Sequence, residues 1–259
     1  MARKPVLGIC HICGRSGKLS FEHVPPEAAF NNRAVREIRG EAVFYANLDK
    51  ISGKISQRGA GSYTLCEPCN NNTGRWYGPA FVDWTYQAMH ILYATRGEAS
   101  LYYTFHIFPL RVIKQIICMF FSANGPHFSE AHQDLVRFVR NPSASGIDPK
   151  YRIYAYFNAS GRSRQSGVAS VLNFDTHTIR VMSEIAFPPL GYLMTFESNP
   201  PDDRPVDISF MAKYHYHDWK PLSLRLPVLP IYTAFPGDYR DRKRVLQDAK
   251  QTQAYSGNP

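Results

Sequence analysis

Two Cys-x-x-Cys pairs constrain this chain more than any other feature of its sequence. The pairs are Cys10/Cys13 and Cys66/Cys69, whereas the fifth cysteine, Cys118, stands alone in an apolar run. Disulfides do not persist in a reducing cytosol, but four thiolates at these spacings suit a tetrahedral zinc ion. Zinc binding contributes roughly 10 to 16 kcal/mol in small zinc peptides and can replace a hydrophobic core. We therefore predict a structural zinc held by the two pairs, with a redox pair as the alternative.

Composition and charge narrow the class of protein further. The 259 residues are 44% hydrophobic, which is enough for a buried core, and they carry a net charge of +9. A basic chain suits a nucleic-acid partner, because each phosphate that is neutralised releases counterions, although charge alone does not identify that partner. We find neither an apolar run long enough to span a bilayer nor a secretory signal. We therefore expect a cytoplasmic protein that has no membrane contact.

The pattern of apolar residues predicts an α+β fold in four segments. We expect a zinc module at 1–77, a helical segment at 78–140, an antiparallel β-rich domain at 141–236 and a polar tail at 237–259. The helical segment has helical spacing after Gly78-Pro79, a helix opened by Pro109, and another that starts at Ser129 as its N-cap. Alternating residues predict the strands 6–13, 19–24, 151–158, 167–174, 178–185, 190–197, 206–216 and 222–229. Residues 27–62 are interpreted as a long loop with basic side chains at Arg33, Arg36, Arg39, Lys50, Lys54 and Arg58.

A short acidic and basic motif lies between the two cysteine pairs. Glu22 and His23 precede two prolines, and Asn70 directly follows Cys69. Neighbouring residues on a strand point to opposite faces, so one can serve a metal ion while the other serves a water molecule. A neutral imidazole can accept a proton near neutral pH, which is general-base chemistry. Carboxylate and amide oxygens are hard ligands, which Mg²⁺ or Mn²⁺ prefers.

This order of motifs resembles the HNH (ββα-metal) endonuclease superfamily, in its endonuclease VII-like variant with a structural zinc held by four cysteines. The resemblance covers roughly residues 7–77 and implies a treble-clef-like module that hydrolyses phosphodiester bonds, with DNA favoured. It implies that the four cysteines hold zinc, that His23 is the general base, and that Glu22 and Asn70 hold a catalytic Mg²⁺ or Mn²⁺. Family members usually have Asp in place of Glu22. Many also have an orienting Asn where Gly61 stands, and Asn47 is a substitute at a different spacing.

Two alternatives to a free nuclease stay open. The module could be a non-catalytic zinc-binding domain that contacts nucleic acid or protein, or the chain could be a nuclease effector that is silent without a partner subunit. The C-terminal domain would then supply substrate binding, a protein partner or a homodimer contact. Arg162 and Arg164 form a basic tip that either contacts nucleic acid or is an ordinary hairpin loop. His215 and His217 share one face of a predicted strand, where an interface is favoured over a metal site.

Overall fold

The computed structural model describes residues 4–38, 53–95, 97–173 and 177–248, which form a mixed α+β fold. Strands β1 to β12 span Leu7–Ile9, Ser16–His23, Val35–Glu37, Lys54–Ser56, Gly61–Cys66, Ser100–Ile107, Tyr151–Asn158, Arg164–Asn173, Thr178–Phe187, Leu190–Phe196, Val206–Asp207 and Lys220–Leu229. Helices α1 to α4 span Glu67–Ala94, Pro109–Ala123, Pro126–Ala131 and Gln133–Arg140. A 3₁₀ helix covers Ser209–Lys213, and residues 242–248 are helical.

The N-terminal part contains a three-stranded antiparallel sheet in the order β1, β2, β5, followed directly by α1. The register places Leu19 opposite Cys66 and His23 opposite Gly61. Cys66 is the last residue of β5 and also the N-cap of α1, so strand and helix meet without a loop. The first two predicted strands are present as β1 and β2, and they pair antiparallel. Strand β5 was not among the predicted strands, and its pairing with β2 completes a strand, strand, helix unit with α1.

Helix α1 runs through Gly78 and Pro79 without ending there. Proline lacks an amide hydrogen and clashes with the preceding turn, so a continuous helix needs compensation from packing. Tyr77, Phe81 and Trp84 provide it, since all three are buried along one face of the helix. The Tyr77 hydroxyl also donates to the Val139 carbonyl at 2.8 Å. These contacts attach α1 to the rest of the molecule.

The larger sheet has the strand order β6, β12, β7, β10, β9, β8, with β11 paired to β7 at the side. Its pairs are antiparallel except β12 with β7, which confirms the mostly antiparallel prediction. Helix α2 packs in the main apolar core, and 13 of its 15 residues are buried. Among the described residues, no helix has both the length and the apolar character needed to cross a membrane.

Four local predictions were wrong. The segment 27–62 was expected to be a loop, but it contains the paired strands β3 and β4 and the start of β5. Strand β6 lies within the segment expected to be helical, and it pairs with β12 because Leu101, Phe105 and Ile107 alternate into the core. The predicted strand 206–216 is only β11 followed by the 3₁₀ helix, so His215 and His217 are not on a strand. Ser129 lies inside α3 rather than capping a helix, since Pro126 starts that helix one turn earlier.

Candidate active site

The four cysteines of the two pairs converge on one point. Their Sγ atoms all lie within 4.8 Å of one another, and those of Cys13 and Cys66 are 3.7 Å apart. A tetrahedral zinc ion with bonds of about 2.3 Å to sulfur places the sulfur atoms ~3.8 Å apart. The first pair lies on a tight turn after β1, in which the Gly14 amide donates to the Cys10 carbonyl at 2.9 Å. This donor set fits a structural metal such as zinc.

The thiols of the cluster also differ in pKa. A hydrogen bond from the Cys69 thiol lowers the pKa of Cys10 to about 4, although burial opposes the change. The same bond, together with burial, raises the pKa of Cys69 above its ordinary value. The cluster therefore already stabilises one thiolate, and thiolates are the form in which cysteine binds metal ions.

Glu22 points into the interior of the protein rather than toward solvent. Its side chain lies between β5 and α2, and the residue is only 6% exposed. The hydroxyls of Ser122 and Thr64 both lie near its Oε2 atom, at 2.5 and 3.4 Å, so Oε1 takes part in neither bond. Burial raises the pKa of Glu22 to about 8, and the two hydroxyl bonds only partly oppose that rise. Burial therefore favours the protonated form of this carboxyl when no cation is bound.

His23 ends β2, and a backbone carbonyl fixes its ring. The Nε2 atom lies 2.7 Å from the carbonyl oxygen of Arg58. Since a carbonyl can only accept, Nε2 carries the hydrogen, and Nδ1 is the acceptor atom of a neutral ring. The ring also meets Phe21 edge to face, with centroids 5.0 Å apart. His23 therefore has a fixed orientation and an acceptor nitrogen that is not used in this bond.

Asn31 holds the loop that orients His23, a role that no pattern in the sequence indicated. The side chain is fully buried, and its Nδ2 donates to the carbonyls of Pro25 and Ala60, each at 2.7 Å. Its Oδ1 accepts from the Ala60 amide at 2.7 Å. Gly59 has a φ of +81°, and a Cβ there would overlap the Asn31 carbonyl oxygen. Asn31 and Gly59 thus place the Arg58 carbonyl beside His23.

The family resemblance placed the orienting asparagine at position 61, where this chain has Gly61, and Asn31 was therefore overlooked. At Gly61, a Cβ atom would overlap the Glu22 carbonyl oxygen, so a side chain has no room there. The substitute that we considered, Asn47, lies outside the described residues. Asn31 reaches the same loop from the other end, shortly after the two prolines that follow β2. Only its closeness to that motif could have indicated it.

Asn70 ties the start of α1 to β2. Its Nδ2 lies 3.1 Å from the Ser20 hydroxyl oxygen and 3.2 Å from the Phe21 carbonyl oxygen. Its Oδ1 takes part in neither bond. The fold thus places Asn70 beside the strand that carries Glu22 and His23, while the Glu22 carboxyl reaches toward β5 and α2. Of the expected basic loop side chains, Arg33, Arg36, Lys54 and Arg58 are exposed, and Arg39 and Lys50 lie outside the described residues.

Comparison with known proteins does not assign the chain to a family. No family model matches the sequence, and neither the curated proteins nor the solved structures give a match. The four-cysteine cluster is consequently the feature of this region that the structure supports directly. A functional assignment must be argued from the residues around that cluster and tested by experiment.

Proposed function

We propose that this protein is a metal-dependent endonuclease of the HNH class that hydrolyses phosphodiester bonds in nucleic acid, with DNA favoured. One arrangement carries the proposal: β2 and β5 lead into α1, with His23 at the end of β2 and Asn70 in the first turn of α1. The cysteine cluster ties this unit together at the point where β5 meets α1. A zinc ion there would be structural, because four thiolates leave no coordination position open.

His23 supplies the base in this proposal. The Arg58 carbonyl accepts from Nε2, so Nδ1 is the atom that takes a proton from the attacking water. The same carbonyl stabilises the imidazolium that forms, since the Nε2 hydrogen becomes more acidic in the charged ring. Asn31 is a positioning residue, because it holds the loop that presents this carbonyl. Proton transfer of this kind typically contributes a factor of about 10² to 10⁴ in rate.

Glu22 and Asn70 would hold the divalent cation. Each has a hard oxygen that is not used in the bonds described above, Oε1 of Glu22 and Oδ1 of Asn70. Mg²⁺ or Mn²⁺, when bound, would stabilise the negative charge that develops on the phosphate. Glu22 must lose its proton to bind a cation, and the Ser122 and Thr64 hydroxyls remain as donors to the ionised carboxylate.

One observation favours a second function, a zinc-binding module without catalysis. The Glu22 carboxyl is buried and has a pKa of about 8, as expected of a carboxyl that stays neutral in a folded core. Such a module would bind nucleic acid or a protein and would not cleave DNA with any divalent cation. A nuclease that needs a partner subunit would also be silent alone, but it would gain activity when that subunit is added.

Cleavage assays separate these functions. Zinc-loaded protein is incubated with plasmid and with single-stranded DNA, with and without Mg²⁺ or Mn²⁺. We expect cleavage that requires the added cation and falls by about 100-fold or more in His23→Ala. His127→Ala is the matched control, since His127 is exposed on α3, where it bonds to the neighbouring Glu130. Cleavage that persists in His23→Ala would refute the assigned base, and inert wild-type protein with bound zinc would favour the binding module.

Cation binding has a readout that does not depend on activity. A ligand that binds only the native state stabilises it by an amount that grows with ligand concentration relative to Kd. Mn²⁺ should therefore raise the Tm of the wild type and of His23→Ala, but not that of Glu22→Gln. Glu130→Gln is the control, because it removes an exposed carboxylate on α3. An equal Tm increase in Glu22→Gln would exclude Glu22 as a ligand.

A further inference from the structure

A cavity of about 780 Å³ lies between β3 and β5 on one side and the large sheet on the other. Ser62 and Thr64 of β5 line one side, and Arg162, Arg164 and Thr233 line the other. Pockets for small ligands typically span about 300 to 1,000 Å³, so this space is large enough for one nucleotide. Residues of the N-terminal module and of the large sheet both contribute to its walls. The cavity therefore exists only when these two parts are packed together.

The charged side chains that line the cavity are mostly basic, which favours an anionic ligand. Among the described residues that line the cavity, the charged side chains are Arg36, Arg162, Arg164 and a single carboxylate, Glu37. The Arg164 side chain is only 3% exposed, and it pairs with Glu184 at 2.8 Å. Its buried Nε finds no hydrogen-bond partner among the described residues. Guanidinium groups bind phosphate oxygens well, because their planar donors match the spacing of those oxygens.

Arg162 is a lining arginine that is available for binding. It is exposed, and its guanidinium group lies 5.6 Å from the Tyr232 ring centroid. One nitrogen reaches the Tyr232 carbonyl at 3.5 Å, the upper limit of a hydrogen bond. No carboxylate in the described part of the chain forms an ion pair with it. A phosphate group could therefore bind Arg162 without breaking a strong contact.

The cavity also adjoins the surroundings of the Glu22 carboxyl. Thr64 and Ser122 line it, and both hydroxyls contact the Glu22 carboxyl. Gly61, which pairs with His23 where β2 and β5 run side by side, is part of the same wall. A ligand in the cavity therefore sits one side chain away from Glu22. This position suits the part of a substrate next to the reacting phosphate.

We infer that this cavity binds one nucleotide of the nucleic-acid strand, beside the bond that is cleaved. Arg162 contacts the phosphate of that nucleotide, and the apolar wall formed by Ile185, Phe187 and Ile231 packs against its base. The basic tip at 162–164 thus belongs to the substrate site rather than to an ordinary hairpin loop. This inference rests on the proposed nuclease function, because it names the part of the protein that holds the substrate.

Binding is measured by fluorescence anisotropy with a short labelled single-stranded DNA. The parent protein is His23→Ala with zinc bound and no other divalent cation, so cleavage does not interfere. Arg162→Ala should weaken binding about tenfold, as expected for one charged hydrogen bond. It should also reduce the slope of log Kd against log salt by about 1. Arg225→Ala is the matched control, since Arg225 is exposed on β12 and does not line the cavity.

A second variant tests whether binding needs the free volume of the cavity, in addition to the charge of Arg162. Ser163 lines the cavity and is exposed, so Ser163→Trp should fill the space without unfolding the protein. We expect it to weaken binding about as much as Arg162→Ala, with the salt slope unchanged, because no charge is removed. Zinc content and circular dichroism of both variants should equal those of the parent. Free nucleoside monophosphate should compete only weakly with the labelled strand.

The outcomes separate this inference from the nuclease proposal. If the wild type cleaves DNA but Arg162→Ala and Ser163→Trp bind like Arg225→Ala, the cavity inference is overturned and the nuclease stands. If the wild type never cleaves but both variants lose binding, the cavity is a strand-binding site and the nuclease proposal fails. Tight binding of free nucleotide that leaves strand binding unaffected would overturn the inference in favour of a small-molecule site.

Discussion

Two buried glutamates, each in contact with residues that line the cavity, have very different surroundings. Glu184 is fully buried, and its two oxygens accept from the Tyr156 hydroxyl, the Arg164 guanidinium and the Gly237 amide. Glu22 is almost as deeply buried, but the described residues offer it only two neutral hydroxyl donors, both near the same oxygen. No described cationic side chain contributes to its environment. The charge of Glu184 is therefore compensated by Arg164, whereas no described cation compensates an ionised Glu22.

The pKa values show the consequence of this difference. Burial acts to lower the pKa of the Arg164 guanidinium, but its contact with Glu184 outweighs burial and raises that pKa. At Glu22, by contrast, burial dominates and raises the carboxyl pKa to about 8. A carboxylate that holds a fold together usually has its cation beside it, as Glu184 has. Glu22 has no described cation beside it, so its ionised form would need a bound cation to balance its charge, whereas the neutral form would not.

The two regions also differ in how they are stabilised. Helix α2 and the large sheet share an extensive apolar core, whereas β1, β2 and β5 contribute few buried apolar side chains. The smaller unit instead has four clustered cysteines. Metal binding should therefore control the folding of the N-terminal strands and have little effect on the sheet.

The largest predicted effect comes from breaking the cysteine cluster. Cys69→Ser should lose the zinc and, with it, on the order of 10 kcal/mol of stabilisation in the N-terminal strands. Hydrogen exchange should show lost protection at 7–23 and 61–66, with protection retained in β7 and β10. Cys118→Ala is the control, because Cys118 lies outside the cluster and should keep zinc at one per chain. Unchanged protection in zinc-free Cys69→Ser would contradict the metal dependence of this region.

The second largest predicted effect is a loss of stability when Glu184, the compensated glutamate, is replaced. Glu184→Gln leaves the Arg164 guanidinium buried without its carboxylate, and breaking a buried pair of this kind costs about 3 to 5 kcal/mol. Urea unfolding at pH 7 should report this loss. Glu130→Gln, an exposed position, should change stability by less than about 0.5 kcal/mol. A loss below about 1 kcal/mol in Glu184→Gln would mean that Arg164 finds other partners and that the pair does not hold the sheet.

The sequence predicted the parts of the fold that local patterns determine. The strands of the large sheet alternate apolar and polar residues or are flanked by turns, so most of them were found. The cysteine spacing predicted a four-thiol cluster. Strand β6 was missed because it lies between two helices with stronger patterns, and the strand predicted at 206–216 was wrong. There the Ser209 amide bonds to the Asp207 side chain at 2.8 Å and starts a 3₁₀ helix.

The surroundings of the candidate site were beyond the reach of local patterns. Ser122 contacts Glu22 across 100 residues of sequence, so the burial of that carboxyl depends on the packing of α2. Asn31 acts through backbone atoms of Pro25 and Ala60, which leave no trace in residue type. Arg164 and Glu184 pair across two neighbouring strands, and their register could be read only from the structure. The motif thus indicated which residues to consider, while packing decides their chemistry.

The smallest predicted effect concerns the pH dependence of stability, which should change when the uncompensated Glu22 is replaced. In the unfolded chain Glu22 loses its proton above its ordinary pKa of 4.5, whereas the folded protein keeps it up to about pH 8. The folded state therefore binds more protons in this window, and stability falls as pH rises, by at most about 1.4 kcal/mol per pH unit. Between pH 5 and 7, without divalent cations, the wild type should lose about 2 to 3 kcal/mol relative to Glu22→Gln, measured by urea unfolding. Glu130→Gln should follow the wild type. If Glu22→Gln and wild type stay parallel, Glu22 ionises within the fold, and the contrast between the two glutamates is wrong.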